Sequence, residues 1–218
     1  MGETRFTTAA VIGTGMMGPG IALTLAMGGL RSTILGRTGE SAARGLEKAR
    51  AQARLLAENE LAGAGLLERA AGLLDASCAF DDTVRAADLV IESGPEDMAF
   101  KQALFARMDA LAGPRAVLAS NTSGLSITAI AAGCSRPERV LTTHFWNPPH
   151  LMPLVEIVKA GKTSGKYFRE LVRRGDLGSK TGKGFYDWSI KDAGAVRQRR
   201  DQFLVEVLHY RRRNPSET

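Results

Sequence analysis

The hexapeptide GTGMMG, residues 13–18, limits what this chain can fold into more than any other stretch. It follows the short apolar run TTAAVI (7–12) and leads into PGIALTLAMGGL, whose apolar residues recur at helical intervals. Strand, glycine turn and helix in that order make the phosphate-binding start of a parallel α/β sheet. Gly13 permits the tight turn, Gly15 lets the backbone approach a pyrophosphate, and Gly18 allows close packing of helix on strand. Thr14, Met16 and Met17 complete the loop, and the helix N-terminus offers free N–H groups to an anion. The plain alternative is a glycine turn that binds nothing, and the flanking strand and helix speak against it.

The alternation continues along the chain. STIL (32–35) reads as a second strand, and SAARGLEKARAQARLLAENELA (41–62) as a charged amphipathic helix with Ser41 as its cap. DLVIESG (88–94) is a strand, MAFKQALFARMDALA (98–112) a helix, and RAVLASNTS (115–123) a strand followed by a loop. SITAIAAGC (126–134) is a short helix that Ser126 can cap, and VLTTHFWN (140–147) and LMPLVEIVKA (151–160) are two more strands. The expected fold class is α/β: a Rossmann-type, mostly parallel sheet with flanking helices, followed by a short, truncated helical tail. Residues 1–160 form the expected NAD(P)-binding domain. Residues 161–218 hold a helix near 166–174, a glycine-rich loop GSKTGKGFYDW (178–188) and a basic helix over 196–213.

Composition narrows the function classes. At 218 residues and 44% apolar, the chain can bury one core, with little room for a second domain of ordinary size. No apolar run reaches the length a membrane-spanning helix needs, and the first residues lack the pattern of a secretory leader. Cys78 and Cys134 have no metal-ligating neighbours; both are expected to be buried bystander thiols in a reducing, cytoplasmic setting, and no metal is expected. Residues 1–158 carry 14 Lys/Arg against 16 Asp/Glu, whereas 159–218 carry 15 against 7. That basic tail shows no finger-type ligand spacing and no apolar run of membrane length, so neither nucleic acid nor a membrane is the expected partner. A small-molecule substrate is.

At the end of the second strand, an acidic residue normally holds the ribose 2′-hydroxyl of NAD. Here the stretch is ILGRTGES, with Gly36 where the acid belongs and Arg37 beside it. A guanidinium pairs well with phosphate, so the chemistry tilts from NAD toward NADP. A solvated surface role for Arg37 remains the alternative.

Three polar residues follow strands on the ligand side: Ser123, His144 and Glu156. A neutral histidine can take the proton of an alcohol as hydride leaves, provided a carboxylate orients its other nitrogen. Glu156 lies on what should be the neighbouring strand, and Pro148 and Pro149 make the following turn rigid. A lone strand histidine is more often packed or exposed without function, and His150 is a second candidate.

Five stretches, as they stand here, resemble the 3-hydroxyacyl-CoA dehydrogenase family: IGTGMMGPGIA, DLVIESGPEDMAFKQALF, ASNTSGLSI, HFWNPPHLMPLVEIVKAGKTS and GSKTGKGFYDW. The resemblance implies a nucleotide-binding sheet followed by a helical domain that dimerises and completes the site. It also implies NAD-dependent oxidation of the 3-hydroxyl of an acyl-CoA or a small carboxylate. It places the catalytic histidine on His144, its orienting glutamate on Glu156, and the substrate- and nicotinamide-contacting serine on Ser123. Glu96 and Lys101 match positions near the nicotinamide ribose, Asn147 an active-site position, and Lys180 a lysine that contacts cofactor.

Three departures stand out. The acid of the second strand is missing. HFWNPPH is bulkier than the family's common form, so Trp146 and His150 either face a compact, carboxylated substrate or, for Trp146, pack in the core. Finally, the long segment that the family places between its GKTS-like stretch and the GSKTGKGFY segment is absent, and with it most of the dimerising helices and an active-site asparagine. A family-style homodimer is therefore not expected, and residues 161–218 read as a remnant of the helical domain. A remnant that binds cofactor without efficient turnover, serving as a binding or regulatory protein, is the alternative to an active enzyme.

Overall fold

The computed structural model describes residues 6–152 and 154–160, together with 195, 198, 201–202 and 204–209. Among these, six strands run parallel: β1 (Thr8–Ile12), β2 (Arg31–Leu35), β3 (Leu74–Ser77), β4 (Leu89–Glu92), β5 (Val117–Ser120) and β6 (Val140–Phe145). A seventh, β7 (Val155–Lys159), is antiparallel to β6, and the order across the sheet is β3-β2-β1-β4-β5-β6-β7. The parallel part is the doubly wound order expected from the glycine turn.

Two helical layers enclose the sheet. On one face α1 (Gly18–Met27), α2 (Gly39–Glu58) and α3 (Ala64–Leu73) bury Ile21, Leu23, Leu56 and Leu67 against Val11, Ile34 and Ile91. On the other, α4 (Phe80–Ala86), α5 (Met98–Leu111) and α6 (Ile127–Ile130) bury Val84, Phe105, Met108 and Ile127 against Ala10, Val90 and Leu118. Successive strand residues feed opposite layers, as Ala10 and Val11 or Val90 and Ile91 do. That is why these strands read as unbroken apolar runs instead of alternating ones.

Residues 63–87, given no element by the sequence reading, contain α3, β3 and α4. β3 is a four-residue edge strand, LDAS, with only Leu74 buried, so it carries little apolar signal. Cys78 follows it and is exposed, and Cys134 is only half-buried, which corrects the expectation of two buried thiols. The cap of α2 is Thr38, three residues before the Ser41 cap read from sequence. Thr38 Oγ1 accepts from Ser41 N at 3.1 Å while Ser41 Oγ accepts from Thr38 N at 3.1 Å, a reciprocal capping box. β7 runs antiparallel because the connection from β6 is too short to hold a crossover helix.

Leu204, Val205 and Leu208 pack against the α1–α3 layer, and His209 Nε2 donates to the Asn59 carbonyl at the end of α2. All described residues from 195 to 209 are helical, in keeping with the expected tail. The expected helix at 166–174 and loop at 178–188, with Lys180, lie outside the described residues. No helix among the described residues is long and apolar enough to cross a membrane.

Candidate active site

The glycine turn joins β1 to α1 and is fastened on both sides. Gly13 N donates to Leu35 O at 3.0 Å, and Ser93 N donates to Ile12 O at 2.8 Å. Gly13 has φ +122°, and a Cβ there would lie 2.5 Å from Ser93 O. A Cβ on Gly18 would lie 1.9 Å from Gly13 O, so these two glycines are demanded by backbone packing. Gly15 differs: nothing stands within 4 Å of its would-be Cβ. The turn therefore keeps one bare, open backbone face beside the start of α1, which is the shape a pyrophosphate needs. Thr14 O accepts from Lys48 Nζ at 3.0 Å, Asn147 Nδ2 donates to Met16 Sδ at 3.1 Å, and Met17 packs against the core. Asn147 thereby ties the loop after β6 to the turn. These residues fit a dinucleotide.

On the α5–α6 side of the sheet, antiparallel pairing sets His144 of β6 directly across from Glu156 of β7. Their side chains meet, with His144 Nδ1 2.6 Å from Glu156 Oε2. Ser123, in the loop after β5, brings Oγ to 3.1 Å from His144 Nε2. An ionised carboxylate can only accept, so Nδ1 carries the proton, Nε2 presents its lone pair, and the serine hydroxyl donates to it. The hydrogen bond from His144 holds the Glu156 carboxyl below its ordinary value, slight burial opposes this, and the charge of His144 and the Trp146 indole add to the lowering. Trp146 is 44% exposed, so it is no core residue. His150 packs instead against Gly20 of α1.

Beneath Ser123 lies a buried ionic network. Lys101 Nζ sits 2.6 and 2.7 Å from the two oxygens of Glu92 and 3.5 Å from Glu96. Ser120 Oγ donates to Glu92 at 2.6 Å, and Gly94 N does so at 2.6 Å. Glu96 in turn accepts from the Thr122 hydroxyl at 2.5 Å, Ser123 N at 3.1 Å and Gly124 N at 3.2 Å. It thus clamps the backbone that aims Ser123 at His144. The Lys101 side chain is only 1% exposed and that of Glu96 18%, so of this pair the glutamate is the one open to the surface. Sequence reasoning missed Glu92, Ser120 and Thr122. An acid closing the apolar run DLVI, nine residues before a lysine, was the available signal. Asn121 was missed as well: its Oδ1 accepts from Phe145 N at 2.9 Å and joins the serine loop to β6. Arg37 is exposed at the end of β2.

Fold and site together define a nucleotide-binding α/β domain with a hydroxyl–imidazole–carboxylate chain beside its cofactor turn. Residues 8–183 match the family model for the 3-hydroxyacyl-CoA dehydrogenase NAD-binding domain, and the chain belongs to that family. It is 37% identical over 169 residues to the 5-formyl-3-hydroxy-2-methylpyridine 4-carboxylate 5-dehydrogenase of Mesorhizobium japonicum, covering 75% of this chain and 53% of that protein. It is 36% identical over 167 residues to the human mitochondrial hydroxyacyl-coenzyme A dehydrogenase, covering 74% and 53%. The crystal structure of 3-hydroxybutyryl-CoA dehydrogenase from Escherichia coli K12 superimposes with a TM-score of 0.68 at 35% identity, covering 83% of this chain and 37% of that one. The match thus spans about half the length of these two curated relatives.

Proposed function

We propose that this chain is an NAD(P)-dependent dehydrogenase that oxidises the 3-hydroxyl of a 3-hydroxyacyl-CoA or of a small 3-hydroxy carboxylate. The Ser123–His144–Glu156 chain, at 3.1 and 2.6 Å, is the observation that carries this reading. A substrate hydroxyl taking the Ser123 position relative to Nε2, or bridged to it by Ser123, gives its proton to His144 as the carbinol C–H bond breaks. Glu156 stabilises the imidazolium so formed, and Ser123 keeps the developing carbonyl oxygen in register. The bound dinucleotide supplies the hydride acceptor. The open face of Gly15 and the Asn147–Met16 contact, which ties the loop after β6 to the glycine turn, support an acceptor bound within reach of the imidazole.

A second reading, a cofactor-binding protein without efficient turnover, is favoured by the half-length match and by apolar exposure on β7, where Ile157 is 66% exposed. The two separate in one experiment. Titration calorimetry of NAD and NADP tests binding, and the absorbance of reduced nicotinamide tests turnover of 3-hydroxybutyryl-CoA and small 3-hydroxy acids. Turnover that falls to background in His144→Ala supports the dehydrogenase. Binding with no turnover above that variant supports the second reading, and saturable binding of neither dinucleotide sinks both.

A further inference from the structure

We infer that the cofactor site is built for a ribose bearing a 2′-phosphate, with Arg37 as the residue that selects NADP over NAD; this rests on the dinucleotide-binding reading above. The place is fixed by the sheet. β2 lies beside β1 in register, Ile12 opposite Leu35, and Gly13 N is bonded to Leu35 O. Residues 36 and 37 therefore lie next to the glycine turn, where the adenosine ribose of a dinucleotide comes to rest.

An acid that would accept from a 2′-hydroxyl is missing there, and the structure shows why it has no room. A Cβ on Gly36 would stand 2.5 Å from Ala42 N, 2.5 Å from Ser41 Oγ and 2.8 Å from Ala42 Cα. The first turn of α2 presses on that backbone. It is held there by the Thr38–Ser41 capping box and by Gly45, whose would-be Cβ lies 2.9 Å from Ile34 and 3.0 Å from Thr14. Restoring an acid at position 36 would require the helix to move. The glycine is thus part of how α2 is seated, beyond the mere loss of a carboxylate.

The charges left at this corner favour an anion. Arg37 is exposed and takes part in no ion pair or side-chain hydrogen bond among the described residues. The nearest acid along the chain, Glu40, is engaged by Arg44 one turn further on. A 2′-phosphate would meet an unpaired guanidinium, whereas a 2′-hydroxyl would find no carboxylate at position 36 to accept from it.

Calorimetric titration of the full chain with NADP, NAD and 2′-phospho-AMP tests this, repeated with Arg37→Ala. Arg37 contributes nothing to the core, so the variant should keep its melting temperature. NADP should bind about tenfold or more tighter than NAD. Arg37→Ala should weaken NADP and 2′-phospho-AMP by about that factor while leaving NAD within about twofold. NAD binding as tightly as NADP, or an Arg37→Ala variant that weakens both alike, overturns the inference and leaves the dehydrogenase reading standing. Binding of neither dinucleotide overturns both.

Discussion

Glu156 shows how much of the proposed chemistry rests on single contacts. Its carboxyl is about half exposed, yet the bond from His144 Nδ1 keeps it ionised below the ordinary carboxylate range. In the proposed mechanism it fixes the tautomer of His144, so Glu156→Gln should lower kcat by about 10–100-fold, with dinucleotide affinity unchanged. A loss of affinity with kcat intact would place Glu156 outside the proton path. Asp88, just before β4, is a residue of another kind, whose contacts bear on stability. Its carboxylate accepts from the backbone N–H and hydroxyl groups of Thr7 and Thr8, the Thr7 backbone bond weighing most, which lowers its pKa from 3.8 to about 2. Because the folded value is the lower one, the stabilisation is present above pH 3.8 and fades as pH falls toward about 2. Thermal melts of wild type and Asp88→Asn should therefore differ at neutral pH and converge across that acid window. A gap that stays constant down to pH 2 would contradict the linkage.

At the scale of elements, α5 and the ends of β4 and β5 form one unit through Lys101, Glu92 and Ser120. The lysine and glutamate side chains are 1% and 0% exposed, so neither can fall back on water. Lys101→Met should cost roughly 3–5 kcal/mol in chemical denaturation, because it strands the Glu92 carboxylate in the interior. Adding Glu92→Gln to that variant should recover part of the loss; a double variant worse than the sum of the singles would mean that packing, not charge, governs the pair. β6 and β7 form a second unit. Their antiparallel register brings residues twelve apart in sequence into direct contact, as His144 and Glu156 require. In a parallel arrangement, the same residues would not have been neighbours.

At the scale of the molecule, the described residues form a nucleotide-binding sheet with helices on both faces, the tail residues Leu204 and Leu208 resting on the α1–α3 layer. A ligand that binds only this folded state must stabilise it. At a hundred times its dissociation constant, the preferred dinucleotide should add about 2.7 kcal/mol, raising Tm by about 5–10 °C. Gly15 offers a clean control, since its would-be Cβ meets nothing within 4 Å. Gly15→Val should leave the ligand-free Tm near that of wild type and abolish the ligand-induced rise. A variant that still shows the full shift would move the pyrophosphate away from this turn.

Spacing and residue type within short windows carried much of this protein. The glycine turn, the apolar strand runs and the order of elements are local patterns, so they could be read before any fold was known. The proximity of His144 and Glu156 was a conjecture until the direction of β7 was seen. Long-range packing escaped such a reading. β3 was hidden because an edge strand buries one residue, the Glu92–Lys101 network because it joins three elements, and the reason for Gly36 because it lies in how closely α2 presses on β2. Each depends on which surfaces meet in space, and a chain written in one dimension holds that only indirectly.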